Sequence, residues 1–418
     1  MNQDTLRQLQ AVKEAARSMS AITPQQTANV LLAMADALVA HTDDIVRANA
    51  LDLAKMDPTD YRYDRLRLDA KRIEGIAADT CNVAHLPAPC GEVIENRTMP
   101  NGLQISRVRV PMGVVGVIYE ARPNVTADVV SIGLRSGNAV VLKGGSDANE
   151  SNTTIVTILR DVLSSQGLNP DLIQLLAPTH EAATDLMNAV GYVDLLIPRG
   201  SQRLIASVRD NAKIPVIETG AGVVHTYFDI AGDLEKGKRV ICNAKTRRVS
   251  VCNALDCLII HSARLADLPA LCSTMAEKGV EMHADDRAYN ALHGHYPDNL
   301  LLHIAPDDYG REFLAMKLAI VTVDSLDEAL QYIYLHSLKH SEAIITEDKE
   351  AAERFLREVD AACCYVNAST AFTDGGQFGL GAEIGISTQK MHARGPMGLR
   401  ELTSYKWIIR GDGQTRNP

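Results

Sequence analysis

From residue 113 onward the chain alternates short apolar runs with stretches long enough for a helix, and this alternation constrains the fold most. Uninterrupted β-branched strands separated by helices predict a parallel sheet that is covered on both faces. The first series of runs is VVGVI (114–118), AVVL (139–142), LIQLL (172–176), VDLLI (193–197) and PVIE (215–218). A second series between about 255 and 366 contains LDCLII, KLAIVTV, the helical run DEALQYIYL, EAIIT and CCYVN. The pattern therefore predicts two α/β domains, which also agrees with a length of 418 residues.

The N-terminal hundred residues show a different pattern, which is mainly helical. Thr23 is a candidate N-cap with Pro24 at the first helical position. An apolar stripe follows, formed by Val30, Leu31, Met34, Leu38 and Val39. Beyond this region, the two strand-like halves of GEVIENRTMPNGLQISRVRVP flank Pro100-Asn101-Gly102, a combination that predicts a β-hairpin.

Composition excludes several classes of function. The formal net charge of −10 argues against nucleic acid as a partner, because binding to a polyphosphate needs a basic surface. The first ten residues lack the apolar run of a secretory signal, and no segment approaches the roughly 18 apolar residues of a membrane span. We therefore expect a cytoplasmic protein without a membrane partner.

The eight cysteines are too few for a disulfide scaffold, and their spacing contains no CxxC pair of the kind that binds zinc. His293-Gly294-His295 has the spacing of half a metal site, but a solvated loop is the simpler interpretation. We therefore predict no metal site.

Polar and small residues collect where the strands of the first series end. Ligands of open parallel sheets bind beyond the carboxyl ends of the strands. The residues at these ends are Tyr119-Glu120-Ala121-Arg122-Pro123-Asn124, Lys143-Gly144-Gly145-Ser146, Pro198-Arg199-Gly200-Ser201 and Glu218-Thr219-Gly220. Their composition is typical of a nucleotide site, although the GxGxxG fingerprint is absent.

Cys252 stands out among the three cysteines of CNAKTRRVSVCNALDCLIIH (242–261). A reactive thiol needs partial access together with nearby cations or a helix N-terminus. Lys245, Arg247 and Arg248 precede Cys252, and helix-compatible residues follow it. Cys242 lies in a predicted helix and Cys257 in a predicted strand, where a thiol is inert. The residues leave two interpretations of Cys252 open, a nucleophile and a small packing residue.

Several segments in the same chain order resemble the γ-glutamyl phosphate reductase family, a branch of the aldehyde dehydrogenase superfamily. The resemblance covers residues from about 5 to 414. It rests on VPMGVVGVIYEARPNVTADV, KGGSDA, IPRGSQRLI, ETGAGVVHTYFD, NAKTRRVSVCNALDCLIIH and MHARGPMGLRELTSYKWIIRGDGQTR. It departs from the family's histidine-rich pattern at Tyr332 and Leu338, and we therefore interpret His336 and His340 as structural rather than catalytic.

The resemblance implies an aldehyde-dehydrogenase-like α/β fold with a parallel-sheet dinucleotide-binding domain, an α/β catalytic domain and a small oligomerisation hairpin. The corresponding limits are 1–90 and 111–229 for the cofactor-binding domain and 230–390 for the catalytic domain. Residues 91–110 and 391–418, which include the run YKWIIR, correspond to the oligomerisation element. A homo-oligomer is therefore expected.

The resemblance also implies roles for individual residues. Cys252 is the nucleophile, and its backbone N–H and the Asn124 amide are donors to the developing oxyanion; the alternative is an Asn124 that only caps a helix. Glu218 matches the carboxylate that activates water in hydrolytic relatives, and here it would manage a proton near the thiol or position the nicotinamide. Candidate ligands for the substrate's phosphate or carboxylate are Lys245, Arg247, Arg248, Arg122 and Arg394.

The expected cofactor is NADPH or NADP. NAD-selecting relatives place a carboxylate three residues after the lysine at Lys143, whereas this chain has Ser146, which tolerates a 2′-phosphate that Lys143 can pair with. Gly200 and Ser201 open the next helix beside the pyrophosphate. Glu312 matches the residue that binds the nicotinamide ribose, although Leu314 replaces the usual Phe two positions later.

The resemblance implies NADPH-dependent reduction of L-glutamate 5-phosphate to L-glutamate 5-semialdehyde and phosphate, the second step of proline biosynthesis from glutamate. A glutamate 5-kinase is a possible partner that supplies the acyl phosphate. Two alternatives remain, an NAD-dependent oxidation of a free aldehyde and an inactive scaffold that keeps the fold.

Overall fold

The computed structural model describes residues 1–60 and 62–416, and the chain divides into two compact units. Unit 1 comprises residues 1–219 and 379–385 and the chain from 397 onward; unit 2 comprises 220–378 and 386–396. The division predicted for cofactor, catalysis and oligomerisation stays a prediction, because compactness does not assign a ligand to a unit. The last two residues of the predicted oligomerisation segment 391–418 lie outside the described residues.

Unit 1 begins with the helices α1 (Gln3–Ala16), α2 (Pro24–Ala40), α3 (Thr42–Leu53), α4 (Tyr63–Leu66) and α5 (Ala70–His85). The predicted start of α2 is confirmed. Thr23 and Gln26 form a reciprocal capping box, and Pro24 is the first helical residue. Four of the five stripe residues are buried, but Val39 is 47% exposed and was wrongly placed on the packed face.

In the described part of unit 1, four parallel strands form a sheet in the order β5-β4-β3-β6. The strands are β3 (Val114–Tyr119), β4 (Ala139–Lys143), β5 (Ile173–Leu175) and β6 (Leu195–Arg199). The helices are α6 (Asn124–Arg135), α7 (Asn149–Ser165), α8 (His180–Met187) and α9 (Gln202–Asn211). The chain leaves β3 towards β4 and returns on its other side as β6, so the switch point lies between β3 and β6.

The strand predicted at PVIE (215–218) does not form. Val216 makes only an isolated parallel bridge to Leu196, although Ile217 N–H still donates to the Leu196 carbonyl at 3.0 Å. Pro215 has no N–H to offer a sheet ladder, and this shortens the pairing.

The predicted hairpin and the C-terminal strand form a separate antiparallel sheet in unit 1. Its strands are β1 (Val93–Thr98), β2 (Gln104–Pro111) and β16 (Thr403–Arg410), with β2 in the middle. Gly102 has φ 88° in the turn, a left-handed conformation that glycine adopts without strain.

Unit 2 contains, in its described residues, a parallel sheet of seven strands in the order β10-β9-β11-β8-β7-β12-β13. The strands are β7 (Val224–Phe228), β8 (Leu255–His261), β9 (Glu281–Ala284), β10 (Leu301–His303), β11 (Lys317–Val323), β12 (Ser341–Ile345) and β13 (Cys363–Val366). A short antiparallel pair follows, β14 (Ile386–Ser387) and β15 (Gly395–Pro396). The helices are α10 (Leu234–Thr246), α11 (Leu268–Glu277), α12 (Asp286–Leu292), α13 (Leu326–His336) and α14 (Lys349–Glu358).

Both faces of the seven-stranded sheet are covered, as the apolar strands predicted. One apolar cluster joins the sheet to α10, α11 and α12, and the other joins it to α13 and α14. The predicted strands of the second series are confirmed, and so is the helix at DEALQYIYL. No helix in the described ranges has the length and apolar character to cross a bilayer.

Candidate active site

In unit 2, Cys252 lies in the loop 247–254, which joins the end of α10 to the start of β8. Cys252 is partly exposed, and Arg247 and Arg248 in the same loop are exposed. The helix-compatible residues after Cys252 do not form a helix, because turn residues lead directly into Leu255 at the start of β8. Of the two features expected of a reactive thiol, the cationic residues of the loop remain and a following helix is absent.

Asn253 anchors this loop from the position beside Cys252. It is 7% exposed, and its side-chain amide donates to the Thr373 carbonyl at 2.9 Å. Its own carbonyl accepts a hydrogen bond from Thr370 Oγ1 at 2.9 Å. The residue that follows the candidate nucleophile is thus fixed by bonds to its side chain and to its backbone.

Gly222 lies against the carbonyl of Cys252. A Cβ built on Gly222 would be 1.7 Å from the Cys252 oxygen, so no other residue fits without movement of the backbone. The Gly222 N–H donates to Glu312 Oε1 at 3.2 Å. The structure therefore brings Cys252 and Glu312, two of the predicted site residues, to the same glycine.

Two candidate substrate ligands in unit 2 are engaged by other groups. Lys245 is fully buried, and its Nζ donates to the Leu255 carbonyl at 2.9 Å. Arg394 Nη2 donates to Asp360 Oδ1 at 2.8 Å, and Lys339 and Lys390 pair with the same carboxylate. These three cations hold the pKa of Asp360 well below its ordinary value, the Arg394 hydrogen bond first among them. Substrate contact by Lys245 and Arg394 stays a prediction.

In unit 1, Asn124 is the first residue of α6 and not its cap, which is Pro123. The interpretation of Asn124 as a cap is therefore wrong. Its amide donates to Asp128 Oδ2 at 3.0 Å. Burial raises the pKa of Asp128 to about 6. The loop that precedes Asn124 is also strained. Ala121 has φ 35°, a backbone conformation that is unfavourable for any residue with a Cβ.

Glu120 joins the two strand ends at the switch point of unit 1. Its carboxylate accepts the Ser201 N–H at 2.9 Å, and it lies so close to Gly200 that a Cβ there would be 2.5 Å from Oε2. Ser201 caps α9 by accepting from the Leu204 N–H. At this helix end, where the pyrophosphate was predicted to bind, the Ser201 N–H thus donates to a carboxylate of the protein itself.

Lys143 ends β4 and is 7% exposed. Burial lowers its pKa, and the nearby carboxylates of Asp147 and Glu120 oppose this effect. Ser146 begins the short turn that leads into α7. Two carboxylates therefore face the lysine that was expected to select the cofactor, a feature that the sequence did not predict.

Glu218 pairs with Arg209 of α9, whose Nη1 lies 3.6 Å from Glu218 Oε2. The Glu218 side chain is 26% exposed. The predicted role in proton management stays a prediction.

Four of the other cysteines differ from a reactive thiol. Burial raises the pKa of Cys90 and Cys364 to about 11 and that of Cys272 to about 12, and it also raises that of Cys257. These thiols stay protonated at neutral pH. His340 is buried as well, bonds to Ser341 Oγ at 2.8 Å, and has a pKa lowered by burial to about 4.

Sequence reasoning did not single out Gly222, Asp256 or the contact between Glu120 and Ser201. Asp256 offered a signal, because it is a charged residue within the apolar run LDCLII, and charges in buried strands need partners. The burial of Lys245 also had a signal in the sequence, because Lys245 lies four residues after Ile241 and thus on the buried face of α10. No sequence signal pointed to Gly222, because the need for a glycine there comes from the Cys252 carbonyl, which is distant in sequence.

Comparison with known proteins identifies the family. The model of the aldehyde dehydrogenase family matches residues 2–290. A γ-glutamyl phosphate reductase of Pelodictyon phaeoclathratiforme is 57% identical over 416 residues, which is 100% of each chain. The same enzyme of Bacteroides thetaiotaomicron is 57% identical over 406 residues, 97% of each chain. The crystal structure of γ-glutamyl phosphate reductase from Thermotoga maritima has a TM-score of 0.94 at 39% identity and covers 99% of this chain and 100% of that one. The chain belongs to the aldehyde dehydrogenase family and, within it, to the γ-glutamyl phosphate reductases.

Proposed function

We propose that this protein catalyses the NADPH-dependent reduction of L-glutamate 5-phosphate to L-glutamate 5-semialdehyde and phosphate through a thioester on Cys252. The observation that carries the proposal is the partly exposed Cys252 in a cationic loop of a γ-glutamyl phosphate reductase family member. The product cyclises to the pyrroline acid of proline synthesis, so the reaction is the second step of that pathway from glutamate. We place it in the cytosol.

The thiolate of Cys252 attacks the γ-carbonyl carbon, and phosphate leaves with the electron pair of the acyl–oxygen bond. The backbone N–H of Cys252 and the amide of Asn124 stabilise the oxyanion that forms during this attack. When bound, NADPH supplies the hydride that reduces the acyl group. Cys252 leaves again as a thiolate when the semialdehyde is released.

The exposed Arg247 and Arg248 are the best placed of the candidate cations to meet a phosphate, because they precede Cys252 in its own loop. Arg122 and Arg394 are the candidates for the carboxylate of the substrate. Glu218 does not need to activate water in this reaction, since water would destroy the thioester. We assign to Glu218 the management of a proton near the thiol or the positioning of the nicotinamide.

The proposed cofactor residues are Lys143, Ser146, Gly200, Ser201 and Glu312. The buried Asn152 Nδ2 supports the fit, because it has no hydrogen-bond partner in the described structure and lies where a Cβ of Gly144, beside Lys143, would fall. Glu120 now accepts the Ser201 N–H that we assign to the pyrophosphate, so cofactor binding must displace this carboxylate. The residues otherwise fit a dinucleotide with a 2′-phosphate.

The reverse reaction separates this function from that of an aldehyde dehydrogenase acting on a free aldehyde. The purified protein is incubated with glutamate 5-semialdehyde, and the reduction of NADP and of NAD is measured with and without phosphate. We expect reduction that requires phosphate and prefers NADP. Phosphate-independent NAD reduction would contradict the proposal. A homo-oligomer and a glutamate 5-kinase that supplies the acyl phosphate belong to the same proposal.

A further inference from the structure

The loop that carries Cys252 is closed at its base by a buried lysine. Lys245, in the last turn of α10, is fully buried and donates from Nζ to the carbonyl of Leu255, the first residue of β8. The bond joins the two ends of the loop 247–254. Burial lowers the pKa of Lys245 to about 8, and the neighbouring carboxylate of Asp256 opposes this effect.

The side chain of Asp256, the second residue of β8, bonds to two further segments of the chain. It is 2% exposed, and its Oδ1 accepts the Phe313 N–H at 3.0 Å while Oδ2 accepts the Val224 N–H at 3.4 Å. Burial raises the pKa of Asp256 to about 7, and Lys245 opposes the increase. One carboxylate thus joins the start of β8 to the start of β7 and to the segment before β11.

Each of these segments carries a group of the proposed site. Phe313 follows Glu312, and Val224 lies two residues after Gly222, which contacts the Cys252 carbonyl and donates to Glu312. The Phe313 ring centre lies 5.9 Å from Lys245 Nζ, a cation–π distance. The next residue, Leu314, has φ 50°, so this segment is held in a conformation that it would not adopt alone.

We propose that Lys245 and Asp256 are positioning residues, which together hold Cys252, Gly222 and Glu312 in one arrangement, and that Lys245 is not a ligand of the substrate. The inference rests on the proposed function, since it takes Cys252 as the nucleophile. The Lys245 amine is enclosed and bonded to the Leu255 carbonyl, so it cannot reach a substrate phosphate without breaking that buried hydrogen bond. Removal of one member of such a pair leaves an uncompensated buried charge.

Lys245→Met tests the inference, because methionine keeps the length of the side chain and removes the ammonium. Lys245→Met/Asp256→Asn is the second variant, because it neutralises both members and so avoids the stranded charge. Lys236→Met is the matched control. Lys236 lies in the first turn of the same helix α10, has a side chain that is 42% exposed and pairs with Glu347 at 2.8 Å.

Two quantities are measured for each variant. The first is the rate of iodoacetamide alkylation of Cys252 in the free enzyme, followed by peptide mapping. The second is the pair of kinetic constants, kcat and KM, determined separately with enzymatically generated γ-glutamyl phosphate. In both test variants, we expect alkylation and kcat to fall about tenfold or more while KM changes little, since small misplacements of reacting groups are costly. The Lys236→Met control should match the wild type in both.

Two results would overturn the inference. A large rise in KM with unchanged alkylation in Lys245→Met would make Lys245 a substrate ligand. Unchanged alkylation and unchanged kcat in the double variant would make the pair a purely structural feature. A wild-type enzyme whose Cys252 is not selectively alkylated would instead refute Cys252 as the nucleophile, so failure of the inference and failure of the proposed function are distinguishable.

Discussion

At Gly222 two backbone segments lie so close together that no side chain fits between them. An ideal Cβ would be 1.7 Å from the Cys252 oxygen and 2.8 Å from its carbonyl carbon. Backbone atoms cannot move aside as a flexible side chain can, so any larger residue must displace the Cys252 loop. The loop geometry therefore depends on a residue without chemical function of its own.

Gly222→Ala should reduce kcat by about a hundredfold, because it shifts the nucleophile. It should also destabilise the fold by about 1–3 kcal/mol through overpacking. The measurements are the reductase assay and thermal unfolding. Gly75→Ala is the control, because a Cβ at this position in α5 meets no heavy atom within 4 Å. It should leave activity unchanged and stabilise the helix by about 0.5–1 kcal/mol. Wild-type kcat in Gly222→Ala would contradict the assigned packing.

Cys252 and Glu218 should respond differently to truncation. Cys252→Ala removes the nucleophile, so NADPH oxidation with γ-glutamyl phosphate should be abolished. Glu218→Ala should slow the reaction only modestly, since reduction of an acyl phosphate needs no activated water. Equal and complete loss in both variants would contradict this division of roles.

At the scale of elements, α6 carries a partly buried carboxylate, that of Asp128, beside a proposed oxyanion donor. Asp128 accepts a hydrogen bond from Asn124, and burial raises its pKa from 3.8 to about 6. Because the folded-state pKa lies above the unfolded-state value, the folded protein binds this proton more tightly. Stability from this group is therefore present below pH 4 and is lost as the pH rises through about 6.

Asp128→Asn should remove this loss, since the amide oxygen can still accept from Asn124 and carries no charge. The variant should gain roughly 3 kcal/mol over the wild type above pH 7 and nothing below pH 4. The measurement is the free energy of unfolding in urea at several pH values. A constant difference across the pH range would show that the substitution acts through packing instead.

The order of elements was predictable from the sequence, because apolar periodicity and capping act locally. The start of α2, the hairpin at Gly102 and most parallel strands follow such local signals. Errors arose where tertiary context decides. The segment after Cys252 is compatible with a helix but must enter β8, and the PVIE segment keeps a single bridge.

The residue types of the candidate site could be proposed from the sequence, but the buried contacts that hold these residues in place could not. The sequence around Cys252 singled it out, and the family resemblance implied its role and those of Asn124 and Glu312, whereas Lys245 was proposed as a substrate ligand because of its charge. Its burial and the role of Asp256 depend on the meeting of β7, β8 and the segment before β11. No local pattern encodes contacts between segments so far apart in sequence.

At the scale of the whole molecule, the small antiparallel sheet exposes an aromatic and aliphatic row on its edge strand β16. Tyr405, Trp407 and Ile409 alternate along the strand and are 50%, 42% and 56% exposed. Residues at this spacing share one face of the sheet. Exposed apolar rows on edge strands are typical of association surfaces, which supports the expected homo-oligomer.

Trp407→Asp should therefore shift the protein towards a smaller species, because a carboxylate would be buried in the association surface. Light scattering coupled to gel filtration measures the mass directly. Tyr334→Asp is the control, since Tyr334 lies on α13 and is 79% exposed. An unchanged mass for Trp407→Asp, at concentrations where the wild type is oligomeric, would exclude this surface.

The most direct test of the account is to trap the covalent intermediate. The protein is mixed with enzymatically generated γ-glutamyl phosphate in the absence of NADPH and quenched in acid, and its mass and peptides are determined by mass spectrometry. The account predicts one γ-glutamyl group on Cys252, its disappearance when NADPH is added, and none on Cys252→Ala. Turnover without any acyl group on Cys252, or with the group on another residue, would contradict it.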